Sequence, residues 1–178
     1  MGQNLQDHMN ISVAYLSTRE QDAPPALMAE TGFFTHTSAR STDQAPRSSA
    51  PALRAEIHVP AVRRARQRLH LRPGAVAAVQ RGTVSLRSAD PSELPLVQPE
   101  YLSDSRDVDV FVEGIELSAT GAFAGLRRLG EEGTGSRRRA RTRADLVDYI
   151  RANAATLWHP VGTCAMGTGE EAVVDDQL

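Results

Sequence analysis

The stretch Leu157-Trp158-His159-Pro160-Val161-Gly162-Thr163-Cys164-Ala165-Met166-Gly167 places an imidazole in a more constrained backbone than any other part of the chain. Pro160 fixes its own φ and biases His159 away from the α region, while Gly162 and Gly167 allow turns that a Cβ would block. We therefore expect a loop that presents His159 at its tip. Because an imidazole titrates near neutral pH, a histidine held in this way is suited to exchanging a proton.

A second interpretation of this stretch involves no chemistry. Trp158 can supply apolar bulk to a loop that packs on a core, with the imidazole of His159 bonded to a backbone carbonyl. Catalytic loop histidines are fewer than structural ones, so the residue types alone leave both interpretations open. Cys164 adds the single thiol of the chain, but no dedicated base other than His159 lies near it in sequence, which disfavours a nucleophilic role.

Three segments upstream alternate apolar and polar residues with a period of two. This alternation predicts half-buried strands over residues 9–15, 53–59 and 83–87. Between the first two strands, proline, glycine and small polar residues predict a loop over residues 18–50, with one short helix near residues 26–30.

Two further segments carry apolar residues at helical spacing. The first predicts a helix over residues 106–126, capped by Ser103 and Asp104. The second is capped by Thr142 and ends near Asn153. Together with the strands, these helices predict an α+β fold in which an antiparallel sheet is backed by helices, and 178 residues correspond to about one domain.

Two segments are interpreted from composition rather than periodicity. We expect Phe33 and Phe34 to anchor the core rather than to form part of a lid. Residues 130–143 combine glycines with a run of arginines and predict a surface loop. The Gly-x-x-Gly-x-Gly spacing over residues 130–135 follows no predicted strand and opens no apolar helix, which argues against a dinucleotide fingerprint.

Charge and hydropathy exclude several classes of partner. The formal net charge of −2 gives no general attraction to nucleic acid or to an anionic membrane. A basic run over residues 63–72 lies in a part of the chain without aromatic residues, between Phe34 and Tyr101, so a solvated face is favoured over a nucleic-acid groove. The chain has no apolar run of about 18 residues and a polar start. We expect a cytoplasmic protein that binds neither nucleic acid nor membranes.

Three separated segments resemble one family in the order that the family has them. The string from His159 to Gly167, followed by Val-Val-Asp at residues 173–175, closely resembles the C-terminal signature of the glucose-methanol-choline (GMC) flavin oxidoreductases. The opening Gly-Gln-Asn-Leu-Gln-Asp-His at residues 2–8 is similar to the motif that leads from the flavin domain of the family into its substrate domain. Residues 81–103 are similar to the substrate-domain signature almost residue by residue.

The resemblance implies FAD as cofactor, a small-molecule alcohol such as a choline-like or other primary alcohol as substrate, and no metal. It implies that His159 is the base that faces the flavin. A backbone turn beside the isoalloxazine ring would comprise Val161, Gly162, Thr163 and Cys164. The flavin side of the domain junction would comprise Asn4, Asp7 and His8. From residue types alone, a polar turn before a strand is the favoured interpretation of Asp7 and His8.

The resemblance also divides the chain and indicates what is missing. Residues 1–8 correspond to the flavin-domain junction, residues 9–156 to the substrate-binding domain, and residues 157–178 to the active-site loop and the start of a returning flavin-domain segment. Most of the Rossmann-type FAD-binding domain has no counterpart, so we expect the chain alone to be inactive and to need a complementing chain. The alternative is a non-catalytic remnant or interaction module that keeps only the fold of the substrate domain.

Overall fold

An antiparallel sheet forms the body of the protein. The computed structural model describes residues 1–17, 31–37, 52–58, 68–75, 78–119, 130–131, 142–170 and 172–177. In chain order the strands are β1 Met9–Asn10, β2 Val13–Ser17, β3 Thr31–His36, β4 Ala52–His58, β5 Arg68–Ala75, β6 Thr83–Ser85, β7 Leu96–Gln98, β8 Gly130–Glu131 and β9 Ala155–Thr156. Seven of them form one sheet in the order β3-β4-β5-β1-β9, with β2 beside β5 and β8, whereas β6 and β7 form a separate hairpin.

The long strand β5 organises the main sheet. It pairs with β4 along one side and with both β1 and β2 along the other. The gap between β1 and β2 lies opposite Pro73, whose carbonyl oxygen accepts a hydrogen bond from the Ile11 N–H at 3.0 Å. Because proline has no N–H to return, the ladder is interrupted at this point.

The predicted α+β fold is confirmed, and four of the predicted elements need correction. The surface loop predicted over residues 130–143 opens with β8, because Gly130–Glu131 pairs with β2. The third predicted strand, over residues 83–87, is shorter and lies in the hairpin with β7 rather than in the main sheet. The predicted loop over residues 18–50 contains β3, and the helix expected near residues 26–30 lies outside the described residues. The end of the basic run belongs to β5, a central strand rather than a solvated segment.

In the part of the chain that the structure describes, two helices cover the sheet, α1 Ser105–Ala119 and α2 Arg143–Asn153. At the start of α2, the Thr142 hydroxyl accepts a hydrogen bond from the Asp145 N–H and the Asp145 carboxylate accepts one from the Thr142 N–H, which is a capping box. At the start of α1, the Asp104 carboxylate accepts from the Arg106 N–H at 2.8 Å. The caps predicted at Thr142 and Asp104 are therefore confirmed.

The core lies between the sheet and the two helices. Its buried members are Met9, Ile11, Val13, Ala75, Val108, Val110, Phe111, Val112, Ile115, Leu146 and Ile150. Five of them come from α1, which is buried over a wider face than the single predicted stripe because Val110 also points into the core. The described part of α1 ends at Ala119, so its predicted extension to residue 126 lies outside the described residues. Phe34, expected in the core, is 67 % exposed.

A buried carboxylate connects α1 to the segment that leads into the hairpin. Asp107 is 2 % exposed and accepts hydrogen bonds from the N–H groups of Val79 and Gln80 at 2.8 and 2.9 Å. Burial raises the pKa of Asp107, and these two hydrogen bonds oppose that rise only in part. The segment is thereby held where Gly82 can pair with the start of the chain.

Among the residues that the structure describes, neither helix has the length and apolar character needed to cross a bilayer.

Candidate functional site

The start of the chain lies between the hairpin and the loop that carries His159. Leu5 and Gly82 exchange two backbone hydrogen bonds, each 2.8 Å long. On the other side, Gln6 and Val161 exchange two more, at 2.9 and 2.8 Å. Segments that are about 80 residues or more apart in sequence are thus joined edge to edge, and the predicted loop around His159 becomes one edge of a small sheet.

The His159 loop contains a bulge. Met9 pairs with Thr156, and the next antiparallel pair is Gln6 with Val161. Two residues on the first segment, Asp7 and His8, therefore face the four residues 157–160 on the second. The extra residues bend outward, as in a β-bulge. Trp158 is in the left-handed region, with φ of 57°, and its side chain is 82 % exposed.

Asp7 fills the concave side of the bulge. Its side chain is 5 % exposed, and its Oδ1 accepts a hydrogen bond from the His159 N–H at 2.9 Å. Its Oδ2 accepts from the Tyr101 hydroxyl at 2.6 Å and from the Thr156 hydroxyl at short range. The carboxylate therefore connects three segments that are far apart in sequence.

These contacts set the protonation of the cluster. Burial raises the pKa of Asp7, but the hydrogen bonds from Thr156, Tyr101 and the backbone amides of His159 and His8 outweigh burial and lower it below its ordinary value. The pKa of Tyr101 is raised, first by burial and then by its hydrogen bond to the Asp7 carboxylate. Asp7 is consequently an anion at neutral pH, and Tyr101 is a neutral hydrogen-bond donor.

The convex side of the bulge presents two imidazoles. The rings of His8 and His159 meet edge to face with centroids 5.4 Å apart, and His159 is exposed while His8 is half-buried. Gln6 and Val161 lie directly opposite each other in the ladder, and directly opposed side chains share one face of a sheet. We call the exposed surface formed by Gln6, His8, His159 and Val161 the histidine face.

The other residues expected at the site lie at the far end of this ladder. Asn4 is exposed with φ of 67°, and Gly162 has φ of 96°. Thr163 is half-buried, and its carbonyl oxygen accepts a hydrogen bond from the Gly2 N–H at 3.0 Å. Cys164 is a free, exposed cysteine. The structure thus brings together residues 4–8 and 159–164. It buries Asp7 and exposes Trp158, which the second, non-catalytic interpretation of the loop would have packed on the core.

Three residues of this site were not predicted. Tyr101 and Thr156 hold Asp7 from 94 and 149 residues away in sequence, so no local pattern could indicate the contact. Gln6 follows Leu5, which is buried, and an alternating strand pattern over residues 4–8 would have placed Gln6 on the same face as His8. Within the described parts of the chain, no group of three or more metal-ligating side chains occurs.

Comparison with known proteins identifies relatives of this chain. The family profile described as GMC oxidoreductase matches residues 78–178. An uncharacterized GMC-type oxidoreductase of Mycobacterium tuberculosis is 43 % identical over 112 residues, which cover 60 % of this chain and 21 % of that protein. An oxygen-dependent choline dehydrogenase of Xanthomonas campestris is 30 % identical over 205 aligned positions, which cover 99 % of this chain and 36 % of that protein.

Solved structures show the same fold. A pyridoxine 4-oxidase from Mesorbium loti superposes with a TM-score of 0.74 at 27 % identity, over 100 % of this chain and 36 % of that one. A formate oxidase variant of Aspergillus oryzae, studied for FAD modification, superposes with a TM-score of 0.69 at 18 % identity, over 92 % of this chain and 37 % of that one. The 178 residues thus span between a fifth and little more than a third of the proteins that they match.

Proposed function

The chain belongs to the GMC oxidoreductase family, and from this premise we propose that it forms the alcohol-facing wall of a flavin-dependent oxidoreductase acting on the CH–OH group of its donor. The observation that carries the proposal is the histidine face. The imidazole of His159 is exposed on this face. Its backbone is fixed, because the His159 N–H donates a hydrogen bond to the Asp7 carboxylate at 2.9 Å. An exposed side chain on a fixed backbone is the arrangement that a general base requires.

In the proposed reaction His159 accepts the hydroxyl proton of the alcohol. The ring of His8 meets the ring of His159 edge to face. His8 can therefore polarise the same hydroxyl or accept a hydrogen bond from it. The anionic carboxylate of Asp7 lies on the opposite side of the backbone, where it accepts the His159 N–H without contacting the substrate. These roles need no movement of the backbone.

FAD fits this face as the cofactor. Val161 is 57 % exposed, so apolar surface suited to a flat ring system lies on the same face as the two imidazoles. The residues that would contact the ring are His159, Val161, Gly162, Thr163 and Cys164, with Asn4 and His8 on the neighbouring segment. When bound, FAD would supply the acceptor for the carbon-bound hydrogen, which no side chain of this site can provide.

The substrate class follows from the same site and from the relatives. A choline-like or other primary alcohol is proposed, because a relative that covers nearly the whole chain is named a choline dehydrogenase. The histidine face offers hydrogen-bonding groups for a hydroxyl but, among its own residues, no carboxylate that is free to pair with a cation. The face therefore selects the hydroxyl end of the alcohol, and selection of the other end depends on further residues.

The chain alone is proposed to be inactive and to act with a complementing chain that carries the FAD-binding part. The experiment mixes the purified chain with FAD and the portion of the Xanthomonas campestris choline dehydrogenase that lies outside the matched region. Anaerobic addition of choline or of a simple primary alcohol is then followed by loss of the visible absorbance of the flavin. Bleaching is expected in the mixture and in neither chain alone.

His159→Gln is the test variant, because glutamine keeps hydrogen-bonding groups but cannot serve as the base. Thr168→Val is the matched control, since Thr168 is exposed in the same loop region but outside the histidine face. The bleaching rate should fall by about two to four orders of magnitude with His159→Gln and stay unchanged with Thr168→Val. Absence of bleaching in the mixture, or equal rates for both variants, would contradict the proposal and favour a non-catalytic interaction module.

A further inference from the structure

We propose that Asp7 is a positioning residue that fixes the His159 loop before any cofactor or substrate binds, rather than a residue that binds the cofactor. The catalytic importance of this role rests on the proposed function above. The geometric role does not, because it follows from the contacts of the protein alone.

The hydrogen-bonding capacity of Asp7 is already used. A carboxylate offers about four lone-pair sites. In this chain the donors are the Tyr101 hydroxyl, the Thr156 hydroxyl, the His159 N–H and the backbone of His8. With its side chain buried as well, Asp7 has no acceptor left for a ligand.

Each backbone N–H group in the bulge has a hydrogen-bond acceptor. The Leu157 N–H donates to the His8 carbonyl and the Val161 N–H to the Gln6 carbonyl, both at 2.8 Å. The two N–H groups at the outermost part of the bulge have no ladder partner and use side chains instead. The Trp158 N–H donates to the Thr156 hydroxyl at 2.8 Å, and the His159 N–H donates to Asp7.

Pro160 is the remaining residue of the bulge. Because proline has no backbone N–H, this position needs no hydrogen-bond acceptor. Each backbone donor from residue 157 to residue 161 therefore has a named partner. Because the Trp158 and His159 N–H groups have no partner in the ladder, the conformation of the loop depends on the two side chains that accept at the bulge. Thr156 itself donates to Asp7, so both acceptors depend on the one carboxylate.

The ring contact between His8 and His159 is a consequence of this arrangement. His8 follows Asp7 directly and His159 donates to Asp7, so the carboxylate fixes the separation of the two backbones that carry the rings. Loss of the acceptor should release the loop and separate the imidazoles, while the core and the rest of the main sheet, which Asp7 contacts through the Thr156 hydroxyl of β9, keep their structure.

The test measures loop geometry in the flavin-free chain by NMR. Asp7→Asn and Thr156→Val are compared with Thr156→Ser, which keeps the hydroxyl, and with Asp90→Asn, an exposed aspartate whose carboxylate accepts hydrogen bonds from the N–H and the hydroxyl of Ser92. The readouts are the nuclear Overhauser effect between the His8 and His159 rings and the hydrogen-exchange rate of the His159 amide. Resonances of α2 report whether the rest of the chain remains folded.

We expect Asp7→Asn and Thr156→Val to abolish the ring-to-ring effect and to accelerate exchange at His159 by about tenfold or more. Thr156→Ser and Asp90→Asn should leave both readouts unchanged. Should Asp7→Asn fail to fold, the Thr156 pair decides the question alone. Unchanged readouts in Thr156→Val, or equal losses in the valine and serine variants, would overturn the proposal. Because no flavin is present, a failure of the proposed function leaves this result standing.

Discussion

A Cβ added to Gly162 would lie 2.2 Å from the carbonyl oxygen of Asn4. The His159 loop and the first segment of the chain therefore cross with no room for a side chain. Gly162 also has φ of 96°, a conformation that residues with a Cβ rarely adopt. The glycine is therefore required by its own backbone and by its neighbour.

Gly162→Ala is expected to lower the free energy of unfolding by about 2 kcal/mol or more, because backbone strain and a steric clash add at this position. Gly169→Ala is the matched control, since a Cβ at Gly169 would have no heavy atom within 4 Å. Urea unfolding followed by circular dichroism measures both variants. Equal stability of the two would show that the loop is not held against the first segment.

The pKa of Asp7 predicts a pH dependence with a definite sign. Its pKa lies below the ordinary value of 3.8, so its contribution to stability is complete above about pH 5 and is lost as the pH falls through the folded-state pKa. The stability difference between the wild type and Asp7→Asn should therefore be largest near neutral pH and shrink on acidification. A difference that stays constant from neutral pH to about pH 3 would contradict the assignment.

Asp107 provides a control of opposite sign. Burial raises its pKa above 3.8, so the contribution of this ionisable group is largest at low pH and is lost as the pH rises through the folded-state pKa. The free energy of unfolding of the wild type, relative to that of Asp107→Asn, should therefore increase as the pH falls. Unfolding curves measured over the same pH series for both variants separate this effect from a general loss of stability in acid.

Two tyrosine hydroxyls donate hydrogen bonds to acceptors of different charge, so the effect of the Asp7 charge on stability can be tested. The Tyr101 hydroxyl donates to the Asp7 carboxylate at 2.6 Å, whereas the Tyr149 hydroxyl donates to the Ser12 carbonyl at 2.7 Å. Tyr101→Phe should cost about 1.5 to 3 kcal/mol at neutral pH and Tyr149→Phe about 1 kcal/mol, because hydrogen bonds to charged acceptors are stronger. Chemical denaturation measures both. A larger loss at Tyr149 would contradict the role given to Asp7.

The packing of α1 sets the stability of the sheet beneath it. Ile115 is fully buried, so Ile115→Ala should cost about 2 to 5 kcal/mol through lost apolar contact and the remaining cavity. Glu116→Ala, at the exposed neighbouring position, should change the stability by less than about 0.5 kcal/mol. Thermal unfolding distinguishes the two, and a small effect at Ile115 would mean that α1 is not part of the core.

Local signals in the sequence predicted the elements that depend on neighbours along the chain. Thr142 and Asp145 form their capping box within one turn, so the start of α2 is readable directly. The strand β5 was missed although Leu69 and Leu71 alternate with the polar residues Arg68, His70 and Arg72. Its basic residues suggested a solvated segment, and only pairing with β4 on one side and β2 on the other makes it a central strand.

The site was predictable in part for the same reason. His159, Val161 and Gly162 lie in one short motif, and Asn4 and His8 in another, so each motif could be recognised separately. The bulge could not be predicted, because it results from a change of pairing between Met9 with Thr156 and Gln6 with Val161. The burial of Asp7 depends on Tyr101, which no spacing rule connects to it.

The flavin-facing role of the histidine face is tested most directly by titrating the isotopically labelled chain with FMN and following its backbone amides by NMR, with inorganic phosphate as the control. FMN is expected to bind weakly and saturably, with shifts concentrated at Gln6, His8, His159 and Val161 and absent with phosphate alone. Shifts centred on the β6–β7 hairpin, shifts reproduced by phosphate, or no shifts at millimolar FMN would contradict it.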